Sequence, residues 1–165
     1  MIRGYERINY KTDMLNNNYY MSISLELAKE AEFNGEAPVG CIIVDANGGI
    51  IGKGRNRREK TKSALAHAEL EAIDNACNTL GDWRLNGCSL YVTLEPCPMC
   101  AGAIIMSRIS KVFYGTKDDI TGSCGSVINL FMESYGHSTQ IVGGIMADEC
   151  GELMSKFFKN IRNYE

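Results

Sequence analysis

Residues 88–107 read CSLYVTLEPCPMCAGAIIMS and join two kinds of predicted structure across one turn. The first part, residues 88–94, is rich in β-forming side chains and predicts a strand. The second part, residues 98–107, is mostly apolar and predicts a helix. Cys97 and Cys100 open this helix, and residues three apart in a helical turn face the same way. The stretch therefore predicts a strand-to-helix turn with two side chains able to bind one metal ion.

A second motif, His67-Ala68-Glu69, lies upstream and is separated from Pro96 by 26 residues. One imidazole and two thiolates make three zinc ligands, which leaves a fourth position of a tetrahedral zinc open for water. Glu69 follows the histidine by two residues and can move protons without binding the metal. A lone C-x-x-C is also compatible with a redox pair, but H-x-E followed by P-C-x-x-C is the signature of zinc-dependent nucleobase deaminases. We therefore expect one catalytic Zn²⁺ per subunit.

The chain alternates predicted helices and strands. Helical spacing indicates helices at residues 19–34, 66–80, 98–107, 126–133 and 147–162. β-rich runs indicate strands at residues 39–45, 49–54, 88–94, 111–115 and 140–145. This order predicts an α/β fold of three layers, with helices on both faces of a five-stranded mixed sheet that begins with an antiparallel hairpin. Both motifs fall at the start of a helix that follows a strand, so we expect the site at the carboxyl edge of the sheet.

Length and composition suit one domain of 165 residues with 45% hydrophobic and 22% charged residues. Residues 1–18 show neither period and predict a flexible extension, which leaves residues 19–165 as the deaminase domain. No apolar run approaches a membrane span and residues 1–18 contain no signal-peptide core, so we expect a cytoplasmic protein without membrane contact. Seven cysteines, two of them assigned to zinc, fit a reducing compartment better than a disulfide framework.

The formal net charge of -3 gives no overall attraction to nucleic acid. Basic residues are concentrated in two places, at residues 55–62 and near the C-terminus at Lys156, Lys159 and Arg162. Each concentration taken alone is also typical of an ordinary solvated surface.

Taken together, the motifs resemble those of the bacterial tRNA-specific adenosine deaminases, over about residues 20–162. The matching stretches are Ala37-Pro38-Val39-Gly40, Gly54-Arg55-Asn56-Arg57, His67-Ala68-Glu69, Trp83-Arg84-Leu85, residues 91–104, Gly125-Ser126, residues 147–153 and Phe157-Phe158. The resemblance implies a cytidine-deaminase-like fold and a homodimer that binds a tRNA anticodon loop. It also implies conversion of the wobble adenosine of an arginine tRNA to inosine.

The same resemblance implies roles for further residues. Asn56 holds the place of an asparagine that contacts the flipped base. The structural alternative is a turn residue that ends the strand. The pocket would be lined by Pro38, Val39 and Ala68. Asp118 matches a position near the RNA backbone, although it could equally cap its own loop.

Two further matches have structural alternatives. Phe157 and Phe158 could stack on bases, and core packing is the better explanation for one of the two. Of the pair, Phe157 is assigned to the substrate site. His137 matches a loop histidine, for which a surface role is at least as plausible as RNA contact.

Three segments depart from the family pattern, and two of them lack a basic residue that the family usually carries. Ser63-Ala64-Leu65 replaces the usual Asp-Pro-Thr before the histidine, Asp119-Ile120 replaces a small residue and a lysine, and Gly136-His137-Ser138 replaces Asn-His-Arg. Two other functions stay open from the residues. One is a zinc deaminase of a free base or nucleotide, such as guanine or cytosine, and the other is a non-catalytic RNA-binding subunit. The second commonly lacks the proton-shuttling glutamate, which this chain retains as Glu69.

Overall fold

The computed structural model describes residues 10–163 and contains one five-stranded sheet with helices packed on it. The strands are β1 (Gly40–Val44), β2 (Ile50–Arg55), β3 (Ser89–Leu94), β4 (Lys111–Thr116) and β5 (Gln140–Gly143). The helices are α1 (Tyr10–Phe33), α2 (Arg58–Thr61), α3 (Ala68–Leu80), α4 (Pro98–Met106) and α5 (Ala147–Arg162), with a 3-10 turn at Leu130–Met132.

The strands run in the spatial order β2-β1-β3-β4-β5. Strand β1 pairs antiparallel with both β2 and β3, while β3, β4 and β5 are parallel to one another. The predicted five-stranded mixed sheet and its antiparallel first hairpin are confirmed. Because β2, β3 and β4 run in the same direction, their carboxyl ends meet at one edge of the sheet.

Both faces of the sheet are buried, which confirms the three-layer prediction. Side chains alternate along a strand, so Cys41 and Ile43 of β1 join the core beneath α3 and α4. Ile42 and Val44 point the other way and pack with Met21 of α1. Central strands covered on both sides read as continuous apolar runs, as β1 does.

Two glycines of β2 allow α3 to approach the sheet unusually closely. A Cβ atom at Gly54 would lie 2.1 Å from the backbone oxygen of Ala68, and one at Gly52 would lie 2.2 Å from the backbone oxygen of Ala72. No residue larger than glycine fits either position without displacing α3. The glycines therefore set the distance between the sheet and the helix that begins just after His67.

Helix α1 begins nine residues earlier than predicted, so the prediction of a flexible segment is wrong for residues 10–18, which are helical. Apolar periodicity could not reveal this part of the helix because Met14 and Leu15 are exposed. A long-range contact supports it instead, since the Tyr91 hydroxyl donates to Asn17 Oδ1 at 2.8 Å. Residues 1–9 of the predicted extension lie outside the described residues. Among the helices of residues 10–163, none combines the length and the apolar character that crossing a membrane requires.

The predicted helix at residues 126–133 is also wrong, because only the 3-10 turn at Leu130–Met132 forms there. Several backbone amides of this segment donate outside it. Val127 donates to the Gly122 carbonyl at 3.0 Å, and Leu130 donates to the Ser123 carbonyl at 3.1 Å. An α-helix over residues 126–133 would need the Leu130 amide for its own i to i−4 bond with Ser126, so the contact with Ser123 replaces it.

Candidate active site

Three metal-binding atoms meet where α3 and α4 begin. His67 and Cys97 are the residues immediately before α3 and α4, and Cys100 lies in the first turn of α4. His67 Nδ1 lies 3.7 Å from Cys97 Sγ and 3.6 Å from Cys100 Sγ. Tetrahedral coordination of zinc at ordinary bond lengths separates a nitrogen and a sulfur ligand by about 3.5 Å. The predicted ligand set is therefore brought together with a spacing that fits one zinc ion.

Protonation within this cluster is uneven, which also favours a bound cation. Hydrogen bonding from Cys100 and from His67 lowers the pKa of Cys97 to about 4, although burial opposes this. The hydrogen bond with Cys97, together with burial, raises the pKa of Cys100 well above its ordinary range. Two adjacent sulfurs thus cannot both be thiolates without a compensating positive charge. A divalent cation supplies that charge, and the N-terminal ends of α3 and α4 add to it.

Glu69 lies in the first turn of α3, two residues beyond the histidine. Its carboxyl group is buried and lines the same cavity as His67 and Cys97. Burial is the main cause that raises the pKa of Glu69 to about 7. The group of three metal ligands among the described residues does not include Glu69. A buried carboxyl group beside the ligands, with a pKa near neutrality, is suited to accepting and returning protons.

The cavity has a volume of about 730 Å³ and opens at the carboxyl ends of β2, β3 and β4. This size is typical of small-molecule sites and accommodates a nucleoside. Of the residues that the resemblance places in the pocket, Val39 and Ala68 line the cavity. Pro38 does not line it, so this part of the prediction is wrong. Its neighbours on either side, Ala37 and Val39, face the cavity, and Pro38 is buried between them.

Asn56 lines the cavity just after β2, and both ends of its side chain are fixed. Its Nδ2 donates to the Ala37 carbonyl at 3.2 Å, and its Oδ1 accepts from the Arg58 backbone amide at 3.1 Å. The turn after β2 therefore also forms part of the cavity wall. The two explanations offered for Asn56 from the sequence are compatible.

Asp118 also lines the cavity and caps its own loop. Its Oδ1 accepts from the backbone amides of Ile120 at 2.9 Å and Thr121 at 3.1 Å, and the Thr121 hydroxyl donates to Oδ2 at 2.6 Å. These bonds order the segment that carries Lys117, Asp119 and Ile120 along one wall of the cavity.

The two phenylalanines of α5 have different environments. Phe158 is partly exposed and lines the cavity, whereas Phe157 is buried and does not. The prediction of Phe157 as a cavity residue is wrong, because consecutive helical residues point about 100° apart and only one of the pair can face the site. His137 lies elsewhere, with Nε2 2.8 Å from the Ile109 carbonyl oxygen, which gives it a structural partner.

Two buried carboxylates beside the cavity escaped the sequence analysis. Glu36 accepts from the backbone amides of Glu59 at 3.0 Å and Lys60 at 2.7 Å, and so anchors α2. Glu95 accepts four hydrogen bonds from the loop at residues 118–126. Burial alone would raise the pKa of Glu95, but the bonds from Ser126, Asp118 and Cys124 outweigh it and lower the pKa. In the sequence, the available signal for Glu95 was its position as an acidic residue immediately after an apolar strand.

Comparison with known proteins identifies the family. The sequence profile described as "Cytidine and deoxycytidylate deaminase zinc-binding region" matches residues 14–116. A tRNA-specific adenosine deaminase of Bacillus subtilis (strain 168) is 45% identical over 150 residues, which cover 90% of this chain and 92% of the relative. One of Haemophilus influenzae is 42% identical over 143 residues, which cover 86% and 83%.

A solved structure agrees with the sequence comparisons. It comes from work on A-to-I editing by tRNA:A34 deaminases at the wobble position of transfer RNA, and it superposes with a TM-score of 0.78 and 36% identity. The match covers 82% of this chain and 98% of the other. The chain therefore belongs to the tRNA-specific adenosine deaminase family of zinc-dependent deaminases.

Proposed function

We propose that this protein hydrolytically deaminates the wobble adenosine of an arginine tRNA anticodon to inosine. The observation that carries the proposal is the convergence of His67, Cys97 and Cys100 beside the buried Glu69 at one end of an open cavity. The names and coverage of the relatives favour adenosine in tRNA over other bases.

The reaction needs a nucleophile and two proton transfers. A zinc ion held by His67, Cys97 and Cys100 would activate a water molecule at neutral pH. Glu69 takes a proton from the water and delivers it to the ring nitrogen beside C6 of adenine. Once the water oxygen has bonded to C6, Glu69 takes the remaining proton from that hydroxyl group and passes it to the amine. The C6–N bond then breaks, ammonia leaves, and the oxygen remains as the carbonyl of inosine.

An anticodon loop suits a cavity of this kind because its bases are already unstacked and need no duplex melting. Positive side chains lie at the cavity. Arg58 and Lys117 line it, and the exposed Lys60, in the same short helix as Arg58, makes no ion pair within residues 13–163. Local contacts of this kind with phosphate supply affinity even when the net charge is negative.

Glu69→Gln tests the proposed mechanism. The variant keeps the shape of the side chain and all three zinc ligands, so we expect wild-type zinc content and an unchanged fold. Because glutamine cannot carry the transferred proton, inosine formation in an arginine-tRNA anticodon stem-loop should fall by at least about 100-fold. Asp74→Asn, on the exposed side of the same helix and outside the cavity, is the matched control and should retain activity.

Near-wild-type turnover by Glu69→Gln would contradict the proposed role of the carboxylate. A wild-type enzyme that leaves the stem-loop untouched but deaminates guanine or cytosine would instead favour the free-base alternative. Asp118 and Asp119 place negative charges at the cavity. A free-base enzyme would tolerate these charges more easily, because a free base carries no phosphate for them to repel.

We also propose that the protein forms a homodimer through the outer face of α4. This helix, PMCAGAIIM, contains no charged residue, and Met106 at its end is 71% exposed. The adjacent 3-10 turn leaves Met132 80% exposed. Apolar surfaces of this kind mark protein contacts. Sedimentation should give a dimer for the wild type and a monomer for Met106→Glu; a monomeric wild type would contradict the proposal.

A tRNA substrate places the proposed reaction in the cytoplasm. All seven cysteines are free, which is compatible with a reducing compartment. Fractionation of cells should recover the protein with cytoplasmic tRNA-modifying activity, and recovery in an exported fraction would contradict this placement.

A further inference from the structure

The loop that forms one wall of the cavity is held by a single buried side chain, Glu95. One carboxylate oxygen, Oε1, accepts from the backbone amides of Cys124 at 2.9 Å and Ser126 at 3.1 Å. The other, Oε2, accepts from the Asp118 backbone amide at 3.1 Å and from the Ser126 hydroxyl. Four donors therefore converge on one carboxylate from both ends of a nine-residue segment, residues 118–126.

Further contacts make this arrangement tight. The Glu95 amide donates to the Thr116 carbonyl at 2.9 Å, and the Ser123 amide donates to the Pro96 carbonyl at 2.9 Å. A Cβ atom at Gly122 would lie 2.5 Å from Glu95 Oε2, so the loop passes directly over the carboxylate. The loop is thus fastened to residues 95–96, which lead straight into the ligand Cys97.

Residues 117–121, at the start of this loop, line the same cavity as His67 and Glu69. Their positions relative to the ligands depend on the Asp118 end of the network, because that end is nearest to the cavity. We infer that Glu95 is a positioning residue, which fixes the 117–121 wall relative to Cys97 and thereby orients the substrate base toward Glu69. This inference rests on the proposed function for its effect on catalysis.

The network requires a carboxylate and does not accept an amide of the same shape. In Glu95→Gln, the remaining oxygen can still serve the Cys124 and Ser126 amides. The new NH₂ group then takes the place of Oε2. The Ser126 hydroxyl can turn and accept from it, but the Asp118 amide is itself a donor and loses its partner. The substitution therefore releases the Asp118 end of the loop while the 124–126 end stays held.

The test compares Glu95→Gln with Ser126→Ala, which removes a donor to the same carboxylate but leaves the Asp118 amide bound. We expect faster amide hydrogen exchange over residues 118–121 in Glu95→Gln alone, with zinc content unchanged. Per zinc-loaded molecule, kcat on the stem-loop should fall 10- to 100-fold, because misorientation of this kind affects turnover. KM should change by less than about threefold, because the basic side chains that contact phosphate lie outside the released residues 118–121. Ser126→Ala should stay within threefold of wild type in both constants.

Wild-type hydrogen exchange and kcat in Glu95→Gln would overturn the inference. Loss of zinc, or faster exchange throughout the protein, would also overturn it, because either result would assign Glu95 to folding alone. If that variant does not fold, Glu95→Asp replaces it. It keeps the charge but withdraws the carboxylate, and the same local exchange with reduced kcat is expected. A wild type inactive on the stem-loop would refute the proposed function, while the exchange comparison would still decide whether Glu95 fixes the wall.

Discussion

Replacing Gly54 with alanine should damage the zinc site from outside it. The added Cβ atom would stand 2.1 Å from the Ala68 backbone oxygen, and ordinary contact begins at 3.4 Å, so the start of α3 must move by about 1.3 Å. That start carries His67 and Glu69, and zinc ligand distances vary by only about 0.2 Å. A displacement of about 1 Å typically costs about 100-fold in turnover. Overpacking should also lower the free energy of unfolding by about 1–3 kcal/mol.

Gly52→Ala is the matched control, because its Cβ atom would meet the Ala72 oxygen at 2.2 Å, further along the same helix. We expect similar destabilisation from the two variants in denaturant titrations. Metal analysis under chelator competition and kcat on the stem-loop should separate them. Gly54→Ala loses zinc at least tenfold more readily and turns over about 100-fold more slowly, whereas Gly52→Ala, whose clash lies one turn further from His67, should show a smaller loss of both. Wild-type zinc retention and kcat in Gly54→Ala, or equal zinc loss in both, would refute the packing explanation.

Three further predictions concern stability and binding. Glu36→Gln should lower the free energy of unfolding by about 1–3 kcal/mol in denaturant titrations, because one amide of α2 loses its acceptor; no change would mean that α2 is not anchored there. Phe157→Ala should lower the free energy of unfolding by about 3–5 kcal/mol, whereas Phe158→Ala should lower it by less than about 1 kcal/mol and raise KM for the stem-loop. The reverse pattern would contradict the placement of Phe157 in the core and Phe158 at the cavity. Removing zinc with a chelator should lower the unfolding temperature, and adding zinc back should restore it. An unchanged temperature would show that bound metal does not stabilise the fold.

The sheet and the zinc ligands were predictable because their signals are local. Alternation and apolar runs marked all five strands, and the spacing of Cys97 and Cys100 placed two ligands on one helical turn. Gly81, which adopts a left-handed conformation with φ of 68°, ends α3 where the sequence predicts. Signals of this kind depend on a few neighbouring residues and survive without knowledge of the fold.

The errors arose where distant contacts decide local structure. Residues 126–133 have a helical pattern, but the Ser126 amide donates to Glu95, 31 positions away in the chain. The choice between Phe157 and Phe158 depends on how α5 is rotated against the sheet, which no local pattern contains. Residues 10–18 form helix although the apolar side chains of Met14 and Leu15 face outward.

The most direct measurement is product analysis with purified, zinc-loaded protein given an arginine-tRNA anticodon stem-loop with a wobble adenosine. Parallel reactions contain the same stem-loop with guanosine at the wobble position, free adenosine, guanine and cytosine. We predict inosine at the wobble position of the first stem-loop and no turnover of the free compounds. Deamination of a free base with the stem-loop unchanged would contradict the assignment to tRNA while leaving the zinc chemistry intact.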